Sequence, residues 1–168
     1  MNKLLRILKH RWLDERDAAR ALPPATLARL AERVHASEAA HSGEIRVCVE
    51  AGLPLSYLWA DRSARDRAIA MFGKLRVWDT EANNGVLIYL LLAEHAIEIV
   101  ADRGLARHVP AAQWQAVVAG MRDAFQAGRY EEGLNAAVDA VDAMLLRHFP
   151  LAEGSANADE LPNAPWVV

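Results

Sequence analysis

Two periods of apolar and polar residues run along the 168 positions, and each change of period marks an element. Residues 3–20 read as one helix, with Leu4, Leu5, Leu8 and Trp12 at helical spacing and Lys3, Arg6, Lys9 and Arg11 between them. Pro23 and Pro24 stop that helix and start the next, because proline suits a first helical turn and not an interior. The second helix reaches about His41, with Leu27, Leu30, Ala31 and Val34 on one stripe. After Gly43 the period falls to two. Ile45, Val47 and Val49 alternate with Glu44, Arg46, Cys48 and Glu50, which predicts a strand over 44–50. Gly52, Pro54 and Ser56 predict a loop that exposes Tyr57, Leu58 and Trp59. A helix follows over about 62–77, its stripe made by Ala64, Ala68, Met71, Phe72 and Leu75. The polar loop from Asp79 ends in the turn pair Asn84-Gly85. Val86 to Leu92 is apolar almost throughout, as a strand buried on both faces is. Glu94 and His95 fit a two-residue hairpin turn, and 96–101 returns as a strand. Helices over 111–127 (Trp114, Val117, Val118, Met121, Phe125) and 130–148 (Leu134, Val138, Val141, Leu145) complete the pattern.

The order α-α-β-α-β-β-α-α with a buried central strand calls for helices on both faces. The expected fold is α/β, a three-layer αβα sandwich with a mixed central sheet. The helical crossover makes 44–50 parallel to 86–92 with a right-handed connection, and the hairpin makes 96–101 antiparallel. Three regions are expected: an N-terminal basic amphipathic helix in 1–22, the αβα domain in 23–149, and a flexible tail in 150–168, where Pro, Gly, Asn and acidic residues dominate. Trp166, Val167 and Val168 could dock back, although nothing local requires it. The N-terminal helix has two readings. Its residues 3–13 could lie on an anionic membrane surface, with Trp12 at the border. Packing of its apolar side on the domain is preferred, because the acidic stretch Asp14 to Asp17 weakens the attraction.

Composition removes several classes. Apolar residues make up 53% and charged residues 24%, so fibrous and disordered classes are excluded. A net charge of −3 gives no reason to expect a nucleic-acid partner. The single cysteine, Cys48, excludes an internal disulfide and a cysteine zinc cluster, and its mid-strand place reads as a buried inert thiol. The longest apolar run is far short of the ~20 residues of a spanning helix. Arg6, Lys9, His10 and Arg11 interrupt any signal-peptide core, so the expected location is the cytoplasm or the periphery of the inner membrane. There is no Gly-rich phosphate loop, HExxH or GxSxG motif, and the six histidines are scattered.

One constellation carries chemistry. Strand 44–50 begins after Glu38, His41 and Ser42. The parallel strand 86–92 begins after Asp79, Thr80, Glu81, Asn83 and Asn84. The antiparallel strand ends at Asp102 and Arg103. Three loops rich in carboxylates and amides thus meet at one edge of the sheet. Hard cations such as calcium or magnesium take oxygen ligands at such a convergence. Solvated loop caps are the plainer reading of the same residues.

The run His41-Ser42-Gly43-Glu44-Ile45-Arg46-Val47 resembles the opening strand of the TPM domain family. The resemblance continues through Ala64-Arg65-Asp66-Arg67-Ala68, Met71-Phe72, Thr80-Glu81, Asn84-Gly85-Val86-Leu87-Ile88-Tyr89, Ile97-Glu98-Ile99-Val100-Ala101-Asp102-Arg103-Gly104-Leu105 and Phe125-Gln126-Ala127-Gly128-Arg129-Tyr130, over about 25–148. It implies an αβα sandwich for 23–149. That family includes a thylakoid-lumen acid phosphatase, bacterial relatives and members that bind divalent ions such as calcium. By motif position the resemblance implies Glu81, Asn84 and Asp102 as metal-site candidates, with Arg65 and His41 beside them. The function expected is a non-catalytic binding or accessory module, regulated by calcium or magnesium and acting on an unidentified protein or membrane-associated partner. The alternative is a weak metal-dependent acid phosphatase acting on phosphate monoesters.

Overall fold

In a computed structural model that describes residues 3–152, 154, 155, 157 and 159–168, the N-terminal stretch forms two helices where one was expected. α1 (Lys3–Trp12) and α2 (Glu15–Ala21) divide at Asp14. The Asp14 carboxylate accepts from Arg16 N at 2.8 Å and from Asp17 N at 3.3 Å, and the Asp17 carboxylate accepts from Asp14 N at 3.1 Å. This reciprocal cap satisfies donors that a continuous helix would not have left open. The remaining elements are α3 (Pro24–Glu38), β1 (Ile45–Glu50), α4 (Leu55–Trp59), α5 (Ala64–Lys74), β2 (Val86–Leu91), β3 (Ala96–Ala101), α6 (Arg103–Ala106), α7 (Ala111–Gln126), α8 (Tyr130–His148) and β4 (Trp166–Val167).

The sheet has the order β3-β2-β1-β4 and is mixed, as expected. β1 runs parallel to β2 from Ile45↔Val86 to Glu50↔Leu91, and β2 runs antiparallel to β3 from Val86↔Ala101 to Leu91↔Ala96. One face (Ile45, Val47, Val49, Val86, Ile88, Leu90) packs on α3, α7 and α8 through Leu30, Val34, Phe125, Leu134 and Leu145. The other (Cys48, Leu87, Tyr89, Leu91) packs on α4 and α5 through Leu58, Ala64, Ala68 and Met71. These are the three layers. Every residue of β2 is buried, which is why its sequence shows no polar side. Cys48 is buried too, and desolvation pushes its thiol up to about 12, the inert state expected of it.

Besides the divided N-terminal helix, four expectations give way to other arrangements. The β2–β3 connection is not a two-residue turn: Leu92–Glu94 forms a short 3-10 turn, and His95 takes a left-handed φ of 49°. The loop after β1 contains α4, with Leu58 buried rather than exposed. The segment after 150, expected to be flexible, docks over its described residues. β4 adds to β1 in parallel, with Cys48↔Trp166 and Val49↔Val167. Main-chain groups on the outer side of β1 would otherwise lack partners, and β4 fills them. Leu161 is buried, and Arg46 donates to the carbonyls of Pro162 and Ala164.

The fourth correction concerns α1. Its apolar stripe was expected to pack on the domain. Instead Leu4, Leu5, Leu8 and Trp12 face outward, with Trp12 85% exposed. The polar side faces in. His10 Nδ1 accepts from Leu53 N at 3.0 Å, and His10 Nε2 meets Glu94 Oε1 at 3.0 Å. Arg6 donates to Glu94 at 2.8 Å, to Asp61 at 3.1 Å and to the Arg62 carbonyl at 2.7 Å. Among the described residues no helix is long and apolar enough to cross a membrane.

Candidate functional site

The strand directions bring the starts of β1 and β2 and the end of β3 to one edge, and main-chain bonds stitch it together. Val86 N donates to Glu44 O at 2.8 Å, Asp102 N to Gly85 O at 2.9 Å, and Gly104 N to Asn83 O at 2.8 Å. A Cβ on Gly104 would lie 2.4 Å from Asn83 O, so only glycine permits that approach. Asn83 takes a left-handed φ of 52°, which asparagine tolerates, and its Oδ1 accepts from Arg103 Nε at 3.0 Å and Nη2 at 2.8 Å.

Asn84 is fully buried. Its Nδ2 donates to the Ser42 carbonyl at 3.0 Å, which fixes the amide orientation, and its Oδ1 has no partner. Asp102 caps α6: Oδ1 accepts from Arg103 N at 2.7 Å, while the buried Oδ2 has no partner. Asn84 and Asp102 thus come to the ends of neighbouring strands, as the sequence pattern implied. Glu81 precedes Asn84 in the same loop. It is exposed, its main-chain N donates to the Glu160 carboxylate at 3.0 Å, and its own carboxylate enters no hydrogen bond or ion pair among the described residues. Arg65 lies away from the edge, against Ile99 O at 2.5 Å and Glu98 at 3.5 Å.

His41 and Glu38 complete the edge. His41 is fully buried, with Nε2 3.3 Å from Asp142 Oδ1 but without the geometry of a directed hydrogen bond. Burial lowers its pKa from 6.5, and Asp142 only partly opposes this. Glu38 Oε1 accepts from Ile45 N at 2.9 Å, while Oε2 is buried without a partner. Desolvation pushes this carboxyl up to about 8, against the Ile45 N–H and with Glu44 and Asp159 adding repulsion. Six buried side-chain polar atoms lack a hydrogen bond among the described residues, and five of them belong to Glu38, His41, Asn84 and Asp102. Buried groups left open cost about 1–3 kcal/mol each, so their gathering at one edge singles it out as the candidate site.

Glu44 was not anticipated here, because strict alternation reads it as a solvent-facing strand residue. It is fully buried, with Oε1 accepting from Asn157 Nδ2 and Oε2 from Leu161 N, both at 3.1 Å. The signal that could have found it is the row Glu44, Arg46, Cys48, Glu50. A face carrying an inert cysteine is a buried face, and its charges then need partners.

Hard cations accept amide and carboxylate oxygens, and the open Asn84 Oδ1 and Asp102 Oδ2 are of that donor class. Both are hard oxygen donors rather than the sulfur ligands of structural zinc sites.

The TPM domain family model matches residues 16–144, and the chain belongs to that family. It is similar in structure to the BA42 protein from the psychrophilic bacterium Bizionia argentinensis, with a TM-score of 0.74 and 25% identity over 88% of this chain and 95% of that one. It also shares the fold of the N-terminal domain of a P. gingivalis protein, with a TM-score of 0.64 and 23% identity over 80% of this chain and 85% of that one. A comparison with curated proteins finds no match.

Proposed function

We propose that this chain is a non-catalytic TPM-type binding module that docks on an anionic membrane surface through α1 and takes a divalent cation at the strand-start edge. The observation that carries the reading is the inverted packing of α1. A helix that turns His10 and Arg6 inward and leaves Leu5, Leu8 and Trp12 outward exposes apolar surface that water disfavours. Trp59, 68% exposed on α4, extends the patch beside α1, with Lys3 Nζ bonded to its carbonyl at 2.6 Å. Lys9 and Arg11 add exposed positive charge, and α1 contains no acidic residue. Apolar side chains framed by cations and tryptophan suit the headgroup boundary of an anionic bilayer.

The test is co-sedimentation with phosphatidylcholine vesicles, with and without phosphatidylglycerol. Binding should require the anionic lipid, weaken with salt, and fall by about tenfold or more in Leu5→Asp. Equal recovery with both vesicle types, or a concentration-dependent dimer that Leu5→Asp abolishes, overturns the membrane reading. For the edge, calcium titrated into the labelled protein should shift the amides of Asn84, Asp102 and their loops and raise the melting temperature. Shifts mapping instead to Glu50 and Glu94 would overturn the edge assignment.

The second reading is a weak metal-dependent acid phosphatase, favoured by the same two open oxygens. A bound ion would supply Lewis acidity and an activated water, with Asn84 and Asp102 holding it. Arg103 at that edge is already engaged by Asn83, so it is not free to stabilise charge developing on a phosphoryl group. Hydrolysis of an activated aryl phosphate between pH 5 and 8, dependent on calcium or magnesium and lost in Asp102→Ala with the fold intact, would establish this reading instead.

A further inference from the structure

A second acidic cluster lies at the same edge and uses neither Asn84 nor Asp102. Glu38 ends α3, Glu44 precedes β1, and Asp159 comes from the segment after α8. Each brings a carboxylate oxygen within 4.8 Å of the other two. Glu38 is 3% exposed with Oε2 unpartnered, and Glu44 is fully buried. Among the described residues no lysine or arginine pairs with any of the three. Three carboxyls gathered this closely, two of them out of water, cannot all stay charged without a counter-ion. The donors that do reach them are neutral: Ile45 N, Asn157 Nδ2 and Leu161 N.

We propose that Glu38, Glu44 and Asp159 form a divalent-cation site whose third ligand is delivered by the C-terminal segment, so that the ion fastens this segment to the domain. All-oxygen ligands select the calcium, magnesium and manganese class, and the exposed side at Asp159 leaves room for water to complete the shell. The segment is otherwise held by neutral contacts and by Arg46. Leu161 is buried, Val168 N donates to Val49 O, and Ala51 N donates to Val168 O, both at 2.9 Å. Glu160 also holds the main chain of Glu81. An ion bound at Asp159 therefore grips the strand that covers β1 and the loop that leads to Asn84. This site does not depend on α1, nor on an ion at Asn84 and Asp102.

Manganese is the probe, added to the isotope-labelled full chain. Below one equivalent it should broaden the amides of Glu44, Ile45, Glu160 and Leu161, and calcium should reverse the effect. Calcium at about 100 times its Kd should slow exchange of the Ala51 and Val168 amides by about 100-fold, as expected for a ligand that binds only the docked state. Asp159→Asn and Glu38→Gln should each abolish the broadening and the slowed exchange, whereas Asp102→Asn should leave both intact. Asp159 is exposed, so its variant decides the matter even if Glu38→Gln folds poorly. Broadening that survives Asp159→Asn and disappears in Asp102→Asn overturns this site while supporting the one at Asn84. No broadening at millimolar manganese, with the Glu38 carboxyl carbon reading as a neutral acid at pH 7, also overturns it and makes the cluster a shared proton.

Discussion

The two ends of the sheet bury the same kinds of side chain and treat them differently. Where β1 and β2 finish, every charge meets a partner. Glu50 accepts from Arg67 Nε at 2.8 Å and Nη2 at 2.5 Å, and from the Tyr89 hydroxyl at 2.6 Å. Glu94 accepts from Arg6 and His10. Where the same strands start, Glu38, His41, Asn84 and Asp102 leave five buried atoms open. A fold selected only for stability has no reason to concentrate that cost at one edge. The finishing end is therefore structural, and the starting edge is the one at which a ligand is proposed.

The largest expected effect tests the structural end. Arg67→Ala leaves Glu50 buried beside Tyr89 with no counter-charge, and breaking such a buried pair costs about 3–5 kcal/mol. Denaturant unfolding measures it directly. A loss below about 1 kcal/mol, the size of an exposed pair, would show that this end is no better built than a surface contact and would break the comparison.

The starting edge should behave in the opposite way. Asp102→Asn keeps an N-cap acceptor for α6, so without cations it should cost under about 1 kcal/mol. Asn84→Ala removes the donor to Ser42 together with the open Oδ1, and about 1 kcal/mol is expected there too. Both variants should lose the part of calcium's thermal stabilisation that comes from an ion at Asn84 and Asp102, and keep the part that Asp159→Asn removes. If Asn84→Ala instead costs as much as Arg67→Ala, the edge is part of the scaffold and its open oxygens carry no meaning for a ligand.

The contrast between legible and hidden features follows the range of the interactions. The apolar run of β2 and the alternation through 44–50 are local patterns, so the sheet could be drawn from them. Strand direction then placed Asn84 and Asp102 at one edge, because a crossover and a hairpin fix that without side-chain detail. Glu44 and the C-terminal segment were hidden because their partners lie far along the chain: Asn157 and Leu161 on Glu44, Pro162 and Ala164 on Arg46. Composition reads 150–168 as flexible, and only the open side of β1 decides that it docks. The facing of α1 was lost for a related reason. Periodicity identifies two sides of a helix but not which one finds a partner, and Glu94 on the β2–β3 connection drew the polar side inward.

The smallest expected effect separates the two ends by pH. In the unfolded chain His41 titrates near 6.5, and burial lowers its value in the fold, with Asp142 opposing in part. The folded state therefore binds that proton less tightly than the unfolded state. The stability tied to His41 is fully present above pH 6.5 and drains away as pH falls through the lower folded value. Glu94 at the other end has its pKa lowered from 4.5, chiefly by the His10 hydrogen bond, so its contribution is present above pH 4.5 and is lost only below it. Melting temperature followed from pH 8 to 3 therefore carries these two losses, set in the upper range against the gain from Glu38, whose carboxyl, pushed up to about 8, takes its proton in the fold first. His41→Gln should remove the upper loss and leave the lower, and Glu94→Gln should do the reverse. The slopes are the readout, so a general loss of stability in either variant does not blur the result. If His41→Gln leaves the upper slope unchanged, Asp142 accommodates the protonated ring, His41 belongs with the satisfied charges, and the edge loses one of its open groups.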